Sequence, residues 1–374
     1  LKKREELLLL CALLRPAGQD EIEGLREKIM QKSMPWADII ALANNDYLVP
    51  ALCARLQNKG LLEAIEDEQL KGYLHALFAF NTERNLRIRE QLEDLVSVLE
   101  PLKIVPFFLK GAVVLSEEDY PSLGMRSMTD IDVMVDEKEL QRTFEALQRS
   151  GYRFVRSEDE HKLDEEHHHL EAMHKAGMPA ALELHRHAVG AEASAYIAYV
   201  PQNRQKSSNA LFSNVDILRP TYRLYHAFLH TEIQHGYHKN KYLALRHLFD
   251  FSLLAEKYST RVDWELLRQL AATNHCKGML EDYLYLAKML FSLETPLTVE
   301  NRRTRRHYAM MLTSFDLEGS LLGKLYPLGA KLSGMYSYKK LQKHYAFSGA
   351  IGYLGALARQ MGYHSRKYLL KKAE

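Results

Sequence analysis

The stretch Thr129-Asp130-Ile131-Asp132-Val133-Met134-Val135 most narrows what this chain can fold into. Side chains alternate along a strand, so Asp130 and Asp132 share one face while Ile131, Val133 and Val135 occupy the other. The apolar residues around the two carboxylates imply a buried strand, and a buried carboxylate is costly without a cation or donors to hold it. With 48 acidic residues in 374, chance alone supplies roughly six acidic-x-acidic triplets. The spacing therefore says little by itself; the apolar setting singles out this copy. Two carboxylates on one strand face can share divalent ions, and Mg²⁺ favours such hard oxygen ligands.

Around this strand the texture of the chain changes twice. Residues 1–99 hold few Gly and Pro and repeat apolar residues at helical spacing, as in Leu70, Tyr73, Leu74, Leu77 and Phe78; residues 66–99 predict one long helix. A β-branched and aromatic run beside Pro follows at 101–109. Further on, 131–135 predicts a strand, 137–149 a helix stopped by Gly151, and 152–155 another strand. Two alternating runs, 167–174 and 180–187, flank the Gly- and Pro-containing segment 175–179 and predict a hairpin. Residues 202–209 are polar enough for a linker or exposed loop. The expected architecture is α+β. A small mixed-sheet core at 100–200 lies between an N-terminal helical region (1–99) and a helical cap (210–296), followed by a basic helical region (297–374).

The total charge of +2 conceals an uneven distribution: residues 301–374 hold 14 Lys/Arg against 3 Asp/Glu, while the rest is net acidic. Arg302, Arg303, Arg305 and Arg306 form the densest cluster. This region is expected either to make a weak contact with nucleic acid or an anionic membrane surface, or to be a solvated or docked helical face. A hydrophobic share of 47% excludes a disordered chain. The widely separated Cys11, Cys53 and Cys276 fit neither a disulfide framework nor a zinc knuckle, which points to the cytoplasm. Residues 7–14 imitate a signal peptide, but Glu5 and Glu6 interrupt the basic stretch, so a buried helix is expected.

Two further segments accompany the aspartates. Leu109-Lys110-Gly111-Ala112 ends a strand-like run and opens an apolar helix, a place where a glycine lets a phosphate approach and a lysine supplies charge. Alternation in 181–187 puts Glu183, His185 and His187 on one face, so Glu183 on a neighbouring strand could complete an acidic triad. Other readings exist. His161, His167, His168, His169, His174, His185 and His187 could supply a transition-metal site, although periodicity does not select its ligands. His226, His230 and Asp250 could suggest a metal-dependent phosphohydrolase.

Taken in order, F-L-K-G, then Y-P-x-x-G-M-R-S-M-x-D-I-D-V-M-V, then S-G-Y and L-E-L-H resemble the uncharacterised nucleotidyltransferase family of the polymerase-β-like superfamily. The likeness extends through 224–230, 245–254 and 262–267, and covers about 60–296. It implies that Asp130 and Asp132 bind Mg²⁺ or Mn²⁺, with Glu183 at the third acidic position. It also implies that Lys110 and Gly111 stand near the nucleotide phosphates, with Arg126 and Ser127 beside them. The implied reaction moves a nucleoside monophosphate from an NTP, ATP first among them, to a hydroxyl acceptor, releasing pyrophosphate. The alternative is a nucleotide-binding scaffold that keeps the fold without turnover. Where many superfamily members have Gly-Gly or Gly-Ser, this chain has Gly111-Ala112, so no serine hydroxyl is offered there.

Overall fold

A computed structural model describes residues 2–154, 170–190, 193, 196–197 and 201–317. Residues 2–238 and 244–309 among these form one compact unit, which holds the sheet and every site residue discussed below; 239–243 and 310–317 belong to a second. His161, His167, His168 and His169, and the chain beyond 317, lie outside the described residues.

The N-terminal helices are α1 (Lys2–Leu14), α2 (Gln19–Met30), α3 (Trp36–Asn45), α4 (Val49–Asn58) and α5 (Glu68–Leu99). The leucines Leu7, Leu10, Leu13 and Leu14 of α1 are fully buried, so the apolar run is a core helix. No helix among the described residues is long and apolar enough to cross a membrane. All three cysteines are buried and free. Helix α5 runs 32 residues and starts where Asp67 caps it, Oδ1 accepting from the Gln69 and Leu70 amides.

The sheet has seven strands: β1 (Phe107–Phe108), β2 (Asp130–Met134), β3 (Tyr152–Phe154), β4 (Met173–Lys175), β5 (Ala181–His185), β6 (Arg204–Lys206) and β7 (Asp216–Leu218). Their order is β3-β4-β5-β2-β1-β7-β6. It is mixed, with β2–β5 and β1–β7 parallel and the other pairs antiparallel. The expected hairpin is β4–β5. The sheet also draws β6 and β7 from beyond residue 200, and β6 lies inside the segment expected to be a linker. Its polar composition suits an edge strand with one solvated face, held by three register pairs to β7 and by the Lys206–Asp216 ion pair at 2.8 Å.

Between and after the strands come α6 (Lys110–Ser116), α7 (Leu140–Arg149), α8 (Pro220–Leu229), α9 (Tyr237–Asn240), α10 (Leu245–Lys257), α11 (Trp264–Thr273), α12 (Lys277–Phe291) and α13 (Arg302–Leu317). A π-helical turn, His230–Gln234, extends α8. The main core places Ile88, Leu92, Leu95 and Leu99 of α5 with Ile131 and Val133 of β2 and Leu182 and Leu184 of β5. That packing claims the apolar face of both central strands and leaves their carboxylates on the opposite one.

Candidate active site

Strands β2 and β5 run parallel in register, with Asp130 beside Ala181, Asp132 beside Glu183 and Met134 beside His185. This pairing joins carboxylates far apart in the chain. Asp132 is only 2% exposed. Its Oδ1 accepts from Lys110 Nζ at 2.6 Å and from His185 Nε2 at 2.9 Å. His185 Nε2 also lies 3.6 Å from Glu183 Oε2. One ligand atom from each of Asp132, Glu183 and His185 falls within 4.8 Å of the others. Asp130 is outside that trio, at the more open end of the strand, with Thr129 Oγ1 at 3.4 Å.

The charges at this site are unequal. Burial alone would raise the Asp132 carboxyl, but the Lys110 charge and the donors His185 and Lys110 hold it well below the usual carboxylate range. Asp130 moves the other way, raised first by desolvation and then by the Asp132 and Glu183 charges. Burial works against a charged His185, yet its bonds to Asp132 and Glu183 raise its pKa. Its Nδ1 faces the His187 carbonyl at 3.2 Å and its Nε2 a carboxylate, both acceptors only. The geometry therefore fits an imidazolium that donates on both sides. Its position was visible from alternation; its pairing with Asp132 was not.

Lys110 and Gly111 meet the site in a different way from the sequence expectation. Lys110, not the glycine, takes the left-handed backbone, with φ at 43°. Such a conformation in a non-glycine residue costs roughly 1–3 kcal/mol and is found where surrounding structure enforces it. Here it accompanies the ammonium's contact with Asp132. Gly111 gives room to two side-chain ends: a Cβ there would stand 2.5 Å from Arg126 Nη1 and 2.7 Å from Met128 Cε, so both would have to shift. Arg126 thus lies across Gly111, with Nε donating to Asp250 Oδ2 at 3.1 Å. Tyr120 donates to the other Asp250 oxygen. Ser127 turns away, its hydroxyl donating to the Tyr47 carbonyl at 3.2 Å and its own carbonyl accepting from Arg246 at 2.6 Å.

The loop carrying Arg126 is fixed by a row of polar side chains on α5. Asn81 Nδ2 donates to the Gly124 and Arg126 carbonyls at 2.6 and 3.0 Å. Asn85 Nδ2 donates to Leu123 and Arg126 at 2.7 and 2.8 Å, and Arg84 Nε to Met128 at 3.1 Å. Farther along, Gln91 exchanges two hydrogen bonds with the Ala180 backbone just before β5. Period-3.6 reading marks this helix as long and amphipathic but gives no sign that its buried face carries amides.

Lys110 and Arg126 also line a cavity of about 110 Å³, shared with His226, His230 and His247 from the following helices. Desolvation followed by the Lys110 charge lowers His226 to about 4 and pushes His230 well below the ordinary imidazole value. Desolvation also takes His247 to about 4. Asp250 is engaged by Arg126 and Tyr120, and among the described residues His226, His230 and Asp250 join no group of converging metal ligands. The same holds for His174 and His187, so the described part of the histidine-rich hairpin brings only His185 to a ligand group.

A family model described as uncharacterised nucleotidyltransferase matches residues 32–292, well over half of the chain. The chain belongs to that family. No curated protein and no solved structure gives a significant match. The nucleotidyltransferase match includes the whole sheet together with α5 and the helices through α12.

Proposed function

We propose that this nucleotidyltransferase is a metal-dependent enzyme that transfers a nucleoside monophosphate from an NTP, ATP foremost, to a hydroxyl acceptor. The observation that carries the reading is the in-register pairing of Asp132 with Glu183, with Asp130 two residues earlier on the same face. The donor chemistry fits a divalent cation: burial and then the neighbouring Asp132 and Glu183 charges raise Asp130, and Asp132 already draws an ammonium to 2.6 Å. Asp130, Asp132 and Glu183 would hold Mg²⁺ or Mn²⁺. When bound, the metal would supply charge neutralisation at the phosphate and lower the cost of forming an acceptor alkoxide.

The chain's own groups account for the remaining requirements. Lys110 and Arg126 are cations at one cavity wall, suited to the triphosphate, and Arg126 is oriented by Asp250 and Tyr120. Gly111 keeps Arg126 low against α6. Glu183, half-buried beside Asp132, takes the acceptor proton. His185 holds Asp132 in place by donation. Ser127 enters the phosphate contact only if its hydroxyl leaves Tyr47. The basic residues at 301–374 add a weak contact to nucleic acid or an anionic lipid surface. Within this region Arg303 and Arg305 already face Glu281 and Glu300. The reading places the enzyme in the cytoplasm.

The test is Mg²⁺-dependent pyrophosphate release from each NTP with candidate acceptors. Asp130→Asn and Asp132→Asn variants that fold and keep full activity would falsify the assignment. Nucleotide binding without pyrophosphate release, across all acceptors, would favour the scaffold alternative.

A further inference from the structure

We infer that His238, Asp282 and His307 form a second metal site, for one first-row transition ion of the zinc type, remote in chemistry from the sheet carboxylates. The residues come from α9, α12 and α13. His238 Nε2 lies 3.2 Å from Asp282 Oδ2, and His307 Nδ1 lies 3.8 Å from the same oxygen. Ligands of a tetrahedral zinc ion at the usual bond lengths stand about 3.3 Å apart, so both separations are close to a formed site. One ligand atom from each residue falls within 4.8 Å of the others. The imidazole pair is stacked, with centroids 4.6 Å apart and planes at 9°. A shared ion would require one ring to tilt, and His238 is the partly exposed member.

Asp282 supplies the second observation. Its side chain is 7% exposed and its buried Oδ1 takes no hydrogen bond, although Arg303 Nε stands 3.7 Å away. A buried carboxylate whose Oδ1 has only an ion contact at 3.7 Å is poorly compensated, and a cation on Oδ2 would add counter-charge to the group. Arg303 is itself anchored by Glu281 and lies over Gly278, whose missing side chain makes room for it. It would steady the carboxylate from behind, as outer-shell partners of metal ligands do. Proximity of imidazoles is not the criterion. His230, His235 and His247 have ring centroids 4.4 to 5.8 Å apart, yet they form no group of converging ligand atoms among the described residues.

The experiment uses the full chain, stripped with a chelator and dialysed against Zn²⁺ in excess Mg²⁺, so that the oxygen-rich sheet site is occupied. One Zn²⁺ per chain is expected, with a raised Tm. Affinity should fall at least about tenfold in His307→Gln and in His238→Ala. The second change is at a partly exposed position and should leave the fold intact by circular dichroism. Glu183→Gln, at the sheet site, should retain the ion. No Zn²⁺ on the wild type overturns the proposal, as does binding that His238→Ala and His307→Gln leave unchanged. Loss of the ion in Glu183→Gln with retention in His238→Ala assigns it to the sheet instead and overturns it equally.

Discussion

Lys110 stands between two buried groups, the sheet pair Asp132 and His185 and the cavity histidines His226, His230 and His247, the first shifted toward their charged forms and the second toward neutral ones. On the sheet side, opposite charges are brought close enough to overcome desolvation, so the Asp132 pKa is lowered and the His185 pKa raised. On the helical side desolvation is the largest influence and lowers His226, His230 and His247; the Lys110 charge adds to it at His226 and His230, and at His247 desolvation outweighs the opposing Asp250 charge. Burial acts on both groups; what differs is whether an opposite charge stands close enough to overcome it. One group is placed to carry charge and the other to present uncharged donors and acceptors.

The strongest way to break that contrast is to remove the anion at its centre. Asp132→Asn takes from Lys110 and His185 their nearest counter-charge and leaves His185 only Glu183 at 3.6 Å, which should cost about 3–5 kcal/mol by chemical denaturation. Pyrophosphate release should fall at least about a hundredfold. Gly111→Ala comes next. Its Cβ would collide with Arg126 and Met128, for an expected loss of about 1–3 kcal/mol and weaker NTP binding measured by calorimetry. Asn85→Ala should cost about 1–2 kcal/mol by leaving the Leu123 and Arg126 carbonyls short of a donor. A Tm unchanged by Asn85→Ala would show that the loop is held by something other than α5.

The helical wall predicts a pH effect of definite sign. His226 and His247 have folded pKa values of about 4 against 6.5. Between these values the unfolded chain binds protons that the folded one refuses, so stability falls as pH drops through this window. Each histidine contributes a slope of up to about 1.4 kcal/mol per pH unit. The double variant His226→Gln/His247→Gln should flatten that limb in urea titrations. Asp132, with a lowered pKa, contributes stability present above the ordinary carboxylate range and lost as pH falls below it. A limb unchanged in the double variant would contradict the neutral-wall description.

Much of the sheet side was legible in the sequence because strand alternation is short-range. Asp130, Asp132 and Glu183 follow from period two, the helix through residue 99 from its spacing, and the β4–β5 hairpin from Gly and Pro between alternating runs. Strands β6 and β7 were not legible, since three-residue strands give too little pattern and β6 is polar throughout. Nor was the partner of Arg126: Asp250 lies 124 positions away, and no local signal links the two. His185 shows the boundary well. Alternation gives its face, but its charge depends on acceptors at both ring nitrogens, one contributed by β2. Gly111 was read as a phosphate approach point, whereas its tight contact with Arg126 became visible only in three dimensions.

Helix α5 holds the loop at 122–128 by backbone carbonyls, through Asn81, Arg84 and Asn85. Address and content are therefore written in different places. Apart from Gly124, where a Cβ would meet Thr82 and Phe78 of α5, and the buried Met125 and Met128, side chains of the loop can be exchanged without altering the carbonyls that fix its position, so substrate preference can drift there while the scaffold stays put. A change at Asn81 or Asn85 instead shifts the whole loop and carries Arg126 with it. Selection acting on what the enzyme recognises and selection acting on whether it is assembled would leave their marks on separate stretches of the chain, some forty residues apart.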